Sequence, residues 1–111
     1  MEYYKKNETF DFGNYLNIPI ILFQSKIYKD KLSLEAKILY SFMLERYISK
    51  EMNYNNFKDK SISFTRAEAM QILNISYKTV NKVFKELKET GLIVEEKIGL
   101  DKSNKIFIKE V

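Results

Sequence analysis

Hydrophobic and polar positions alternate with a helical period twice between residues 65 and 91, and the two runs lie about a dozen residues apart. In the first, Ala69, Ile72 and Leu73 form an apolar stripe. It follows Thr65, whose partner three residues on is Glu68, the pattern in which each side chain satisfies the other residue's free backbone N–H. Asn74-Ile75 interrupts the period, and Ser76 is placed to cap a second helix. That helix carries Val80, Val83, Phe84 and Leu87 on one side, at steps of three, four and three. Gly91 supplies the left-handed residue that ends it. Two helices joined by a turn of three or four residues predict a helix-turn-helix, whose second helix commonly enters a DNA major groove.

At about 100° per residue, the apolar side chains of the second helix fall within one sector. The opposite face is centred on Lys78, Lys82 and Lys85, with Tyr77, Asn81 and Lys88 beside them and Glu86 and Glu89 towards the far end. Its first two turns are polar, positive and free of carboxylate. Lys78 stands in the first turn, where the helix dipole disfavours a cation by roughly 0.3–1 kcal/mol. An arriving phosphate would reverse that sign. A solvated lysine face in a lysine-rich chain explains the same residues without a ligand.

Earlier in the chain, residues 15–23 are strongly apolar and divided by Pro19. They predict a short extended piece, then one or two helical turns starting at the proline, with Ile18, Ile21, Leu22 and Phe23 in the core. Ser33 caps the longest helix, about Leu34 to Glu51, with Glu35 at its positive end. Ala36, Leu39, Tyr40, Met43, Leu44 and Tyr47 make its buried stripe, and Glu45, Arg46, Ser49 and Lys50 face water. Residues 1–14 read as a loose arm with a Gly13-Asn14 turn, either a frayed end or a dimerisation arm using Tyr3, Tyr4, Phe10 and Phe12. Asn53 to Lys60 reads as a solvated connection. Ser61-Ile-Ser-Phe64 alternates as a short strand does.

After Gly91 the period changes to that of strands, over Leu92–Lys97 and Lys105–Lys109. The loop between them, Ile98-Gly-Leu-Asp-Lys-Ser-Asn104, has turn residues. A β-hairpin directly after the second helix makes the whole an α+β, mostly helical fold: a winged helix-turn-helix with a C-terminal β-hairpin wing, spanning residues 15–111. Lys97, Lys102 and Lys105 stand at the wing, within reach of phosphate or a minor groove. Glu95-Glu96 read as surface charge.

Composition narrows the chemistry. The chain has 111 residues, a net charge of +4 and no Cys or His. Disulfides, thiolate metal sites and His-dependent catalysis are excluded, no acid pair is placed for catalysis, and neither an enzyme nor a cofactor is expected. Absence of Cys fits a cytosolic protein, and no run of about 18 apolar residues marks a membrane span. Of 19 basic residues only Arg46 and Arg66 are Arg, the other 17 being Lys. Bidentate guanine reading is mainly an arginine task. A DNA-binding role would therefore rest on phosphate contacts, with base reading left to Asn81, Tyr77, Thr79 or a lysine; an Asn at Asn81 would read an adenine.

The order of segments also resembles a known family. Ile18-Pro19 followed by Leu22-Phe23, then Tyr28-Lys-Asp-Lys-Leu-Ser-Leu-Glu-Ala-Lys-Ile-Leu-Tyr40, then Leu73-Asn-Ile-Ser76, Val83-Phe-Lys-Glu-Leu87 and Gly91-Leu-Ile-Val94, is similar to the N-terminal domain of RepA-type plasmid replication initiators, over about residues 12–109. The resemblance implies a bacterial, cytoplasmic domain that binds repeated double-stranded sites at a plasmid origin as a homodimer. It also implies a C-terminal domain that recruits host replication proteins. The family's wing is a basic Gly-Lys-Pro-Asn loop; here Asp101 and Ser103 stand where glycine and proline are expected. Carried onto this chain, Ser76, Tyr77, Lys78, Thr79 and Asn81 meet base edges or flanking phosphates. Arg66, Lys82 and Lys85 bind phosphates, and Lys97, Lys102 and Lys105 reach the backbone or the neighbouring groove. A winged-helix transcription regulator, or a winged helix used for protein contacts in replisome assembly, are the other readings the residues admit.

Overall fold

The Pro19 carbonyl accepts from the Leu22 N–H at 3.1 Å and so starts the first helical turn. The computed structural model describes residues 15–53, 60–100 and 102–111. The expected arm over 1–14, most of the expected loop at 53–60, and Asp101 lie outside the described residues.

The helical turn after the proline is α1, Ile21–Gln24. Ser25, in an extended conformation, ends it and at the same time caps a second short helix, α2, Lys26–Lys29, accepting from the Ile27 N–H. The expectation of four core residues here is corrected. Leu22 is buried, but Ile18, Ile21 and Phe23 are 36%, 40% and 42% exposed. The break at Ser25 leaves a single turn on either side, and one turn presents only one side chain squarely to the core. Phe23 instead lies under the Lys37 ammonium, 4.5 Å from its ring centroid.

The long helix, α3, runs Leu34–Asn53. The Ser33 hydroxyl accepts from the Ala36 N–H at 3.2 Å, the expected cap. Ala36, Leu39, Tyr40 and Met43 are buried, with Leu44 and Tyr47 packed half-buried at the margin. Arg46 and Lys50 do not simply face water. Arg46 donates to the Ser63 carbonyl at 2.8 Å, pairs with Glu68 at 2.8 Å and stacks over Phe64 at 4.2 Å; Lys50 donates to the Ser61 carbonyl at 2.8 Å. Both bind α3 to β1, Ser61–Ser63, because their long stems cross apolar surface before the charge finds its partner.

After β1 come α4, Arg66–Leu73, α5, Tyr77–Glu89, β2, Ile93–Glu96, and β3, Lys105–Ile108. The strands form one antiparallel sheet in the order β1-β3-β2. The wing hairpin is thus joined on its far side by the strand that precedes the helix-turn-helix. Ile62 lies across from Ile106, and Ile106 across from Glu95. Those three, with Ile93, share the inward face, since cross-strand partners and residues two apart point the same way.

On α5 the expected Val80, Val83, Phe84 and Leu87 are all buried. On α4, Ala69 is buried and Leu73 half-buried, but Ile72 is 40% exposed and Met70 packs inward in its place. At about 100° per residue, Ala69 and Leu73 share a sector equally well with either neighbour, so spacing alone could not choose. Among the described residues no buried side-chain N or O lacks a partner, and no helix is long and apolar enough to cross a membrane.

Candidate nucleic-acid interface

The helix-turn-helix is set by its caps. The Thr65 hydroxyl accepts from the Glu68 N–H at 3.0 Å, and the Glu68 carboxylate accepts from the Thr65 N–H at 3.1 Å. Burial pushes the Glu68 carboxyl up, but the Thr65 N–H and the Arg46 guanidinium outweigh it and leave it below its ordinary value. Asn74 ends α4 in the left-handed region (φ 53°, ψ 50°) and sends its N–H to the Met70 carbonyl. Three residues, Asn74 to Ser76, separate the two helices. The Ser76 hydroxyl caps α5, accepting from the Thr79 N–H at 3.2 Å and lying 3.0 Å from the Thr79 hydroxyl. At the other end Gly91 (φ 76°) closes a Schellman motif: its N–H meets the Lys88 carbonyl at 3.1 Å, and the Leu92 N–H meets that of Leu87 at 3.0 Å.

These caps and the buried stripe fix which side of α5 is outward. Tyr77, 59% exposed, and Lys78, Asn81, Lys82, Lys85 and Lys88 all stand on that side. Lys85 approaches Glu89 only at 3.9 Å, with both side chains largely exposed, a pair of little energetic weight. Among the described residues Lys78 and Lys82 meet no carboxylate. The sequence-predicted face is therefore assembled as expected on α5, with Ser76 and Thr79 engaged in capping at its end.

Arg66 is adjacent to that face but held within the protein. Its two terminal nitrogens grip the Glu95 carboxylate, one of them at 2.9 Å. Its guanidinium lies over the Phe84 ring at 4.0 Å, and its Nε reaches Asn81 Oδ1 at 3.5 Å. A phosphate would have to compete for it. Glu95 also accepts from Lys88 at 3.2 Å and from Asn104 at 3.1 Å. Expected to be surface charge, Glu95 has a side chain only 7% exposed. The Arg66 hydrogen bonds, against the cost of burial and helped by Asn104 and Lys88, hold its carboxyl at about 2. Glu96, the next residue, does face water.

This cluster is the part of the site that sequence reasoning missed. The signal was present: Glu95 is two residues from buried Ile93 in a strand and so shares its inward face, where an unpaired carboxylate would be costly. Asn104, a turn residue by its sequence, anchors the base of the wing through Glu95. On the wing, Lys97 and Lys102 are exposed, Leu100 is 95% exposed, and Lys105 is half-buried across from Glu96. Among the described residues no acidic cluster could hold a metal ion.

Comparison with known proteins supplies the family. Residues 14–111 match the family model described as replication initiator protein A (RepA) N-terminus. A solved structure described as "N-Terminal domain of DNA binding protein" is 24% identical, with 99% of this chain and 84% of that one covered at a TM-score of 0.70. A second, "Structure of Rep-DNA complex", is 24% identical over 98% of this chain and 84% of the other, at 0.70. A third, "Structure of MDR initiator", is 24% identical over 98% and 86%, at 0.66. At that identity the likeness establishes a shared fold. No curated protein matches.

Proposed function

The chain belongs to the family of replication initiator protein A (RepA) N-termini, and on that premise we propose that it binds repeated double-stranded DNA sites at a plasmid replication origin. The observation that carries the reading is the outward face of α5. Over two turns it offers Tyr77, Lys78, Asn81 and Lys82 with no carboxylate among them, at the end of a helix whose dipole favours an anion. A basic, polar, carboxylate-free helix face after a tight turn fits the major groove. The similar structure described as a Rep–DNA complex supports DNA as the partner.

In this reading Lys78, Lys82 and Lys85 meet phosphates, and Tyr77, Thr79 and Asn81 lie along the base edges. Ser76 orients the first turn and can present its backbone to a phosphate. Lys97 and Lys102, with Lys105 behind them, bring the wing to the flanking backbone. Arg66 serves as a support for α5 in place of a phosphate ligand, because Glu95 already holds its fork. The domain works by binding alone, without catalysis or cofactor, in the bacterial cytoplasm.

It acts as a homodimer, since one recognition helix reads only a half-site. Ile20, Ile27 and Leu34, 67%, 60% and 55% exposed within a short stretch of chain, supply apolar surface that a second copy would cover.

The family resemblance implies that such sites often lie within the initiator's own coding region, so a nuclease footprint on the DNA encoding this chain tests the repeat-site reading. Protected segments at a regular spacing support it. One isolated protected segment would point instead to a transcription regulator's operator, and none would favour a winged helix used for protein contacts.

A further inference from the structure

Glu95, Arg66 and Asn81 come from three different elements, β2, α4 and α5, yet form one continuous chain of contacts. We propose that Glu95 is a positioning residue for base recognition: through Arg66 it turns the Asn81 carbonyl toward the protein, so that Asn81 offers N–H donors to the groove and reads guanine in place of adenine. The inference deepens the reading of α5 as a helix that enters the major groove, and rests on it.

Each link is a contact in the structure, tightest at Glu95 and longest at Asn81. Glu95 shares the inward face of the sheet with Ile93 and Ile106 and accepts from both terminal nitrogens of Arg66. That bidentate grip sets the plane of the guanidinium. The buried Phe84 ring lies 4.0 Å beneath it and stops it from tilting away. With the plane fixed, the Nε–H, on the α5 side of the fork, is directed at Asn81 Oδ1, 3.5 Å away. Lys88 and Asn104 meet the same carboxylate from α5 and the base of the wing, so Glu95 is itself held from both sides.

The consequence for recognition follows from the donor inventory. Reading adenine needs both ends of the amide at once, Oδ1 accepting from N6 and Nδ2 donating to N7. Arg66 draws Oδ1 to the protein side. With that oxygen turned and one of its two lone pairs engaged, the group that leads toward the groove is the NH2, with two donors. Guanine presents two acceptors in the major groove, N7 and O6; adenine presents one, beside a donor that the NH2 group would face unpaired. The arrangement therefore favours guanine, in a chain with almost no arginine to read it.

The test is equilibrium binding of the full chain to its preferred duplex, selected from a random library, and to duplexes carrying each alternative base pair. The parent chain is compared with Asn81→Ala, Glu95→Gln and Arg66→Lys. The expected result is one position where the parent chain prefers guanine over adenine by about tenfold or more. Asn81→Ala abolishes that preference. Glu95→Gln and Arg66→Lys reduce it at that position while preferences elsewhere hold. Arg66→Lys keeps a charge facing Glu95 but loses the planar fork, so it tests the orientation even where Glu95→Gln fails to fold. An adenine preference at the Asn81-dependent position would overturn the inference. So would a loss of affinity in both variants that is uniform across all duplexes. A parent chain with no base preference anywhere would overturn the reading of α5 itself, and the inference with it.

Discussion

Glu86 of α5 accepts two hydrogen bonds from Ser33, one from the backbone N–H at 2.6 Å and one from the hydroxyl at 3.2 Å. Ser33 is also the cap of α3. The outward-facing helix is thus bolted to the start of the long core helix, with a carboxylate at the positive end of the α3 dipole. Glu86→Ala leaves the Ser33 N–H without its partner, and should cost about 1–3 kcal/mol of stability. For a domain of this size that lowers Tm by roughly 4–8 °C per kcal/mol. Glu86→Gln, which keeps an acceptor, should lose less. A thermal midpoint equal to the parent chain's would show that the bond contributes nothing.

Lys78 should move stability and DNA binding in opposite directions. It stands in the first turn of α5 and meets no carboxylate among the described residues. Lys78→Ala removes a cation from the positive end of a helix and should stabilise the free protein by roughly 0.3–1 kcal/mol. The same change removes a phosphate contact, and should weaken binding to every duplex while reducing the log–log salt slope by about one. Melting curves of the free chain beside salt titrations of binding would separate the two. If both fell together, Lys78 would be a structural residue and not a phosphate ligand.

Acid should loosen the joint between the wing and the helix-turn-helix. The Arg66 hydrogen bonds, opposed by burial and aided by Asn104 and Lys88, take the Glu95 carboxyl from its ordinary 4.5 to about 2. Because the folded value lies below the unfolded one, the contribution is complete above about 4.5 and is lost as pH falls from there towards 2. Glu68 is lowered as well and acts in the same direction. Urea unfolding across this window should show stability falling with pH, and falling less steeply in Glu95→Gln. Parallel curves for the two proteins would remove Glu95 from the account of acid sensitivity.

Tyr40 makes the corresponding prediction at alkaline pH. Its hydroxyl donates to the Lys109 carbonyl at 2.6 Å. Burial chiefly, with Tyr28 and Glu110 adding, pushes its phenol up to about 12 from 10.0. A raised value means the contribution is complete below about 10 and is lost as pH climbs towards 12. Tyr40→Phe should cost about 1 kcal/mol near neutral pH by leaving the Lys109 carbonyl unpaired, and should show the smaller alkaline loss. An equal alkaline loss in the two chains would contradict this assignment.

What could be seen in advance was whatever is carried by neighbours in sequence. The capping box at Thr65 and Glu68, the Ser76 cap, the Gly91 stop and the single apolar sector of α5 are all local, and all stand in the fold. The helix α2 was hidden because Ser25 ends one turn and begins another, and four residues carry no period. The charges of Arg46 and Lys50 point to water in the sequence, yet both side chains reach β1 carbonyls. On the candidate interface, the lysine face needed only helical geometry. The engagement of Arg66 depended on Glu95, 29 residues away, and the anchoring of α5 on Ser33, 53 residues away. Such partners become neighbours only through the sheet and the helix packing.

The measurement that tests the central claim most directly is fluorescence anisotropy of this chain against fragments of its own coding DNA and a shuffled control, at two salt concentrations. Tight binding to a repeated fragment, well above the control and weakened by salt, is the result that sequence-specific recognition through α5 requires. Equal, salt-sensitive binding to fragment and control alike would contradict it, leaving a basic winged helix that holds DNA without reading it.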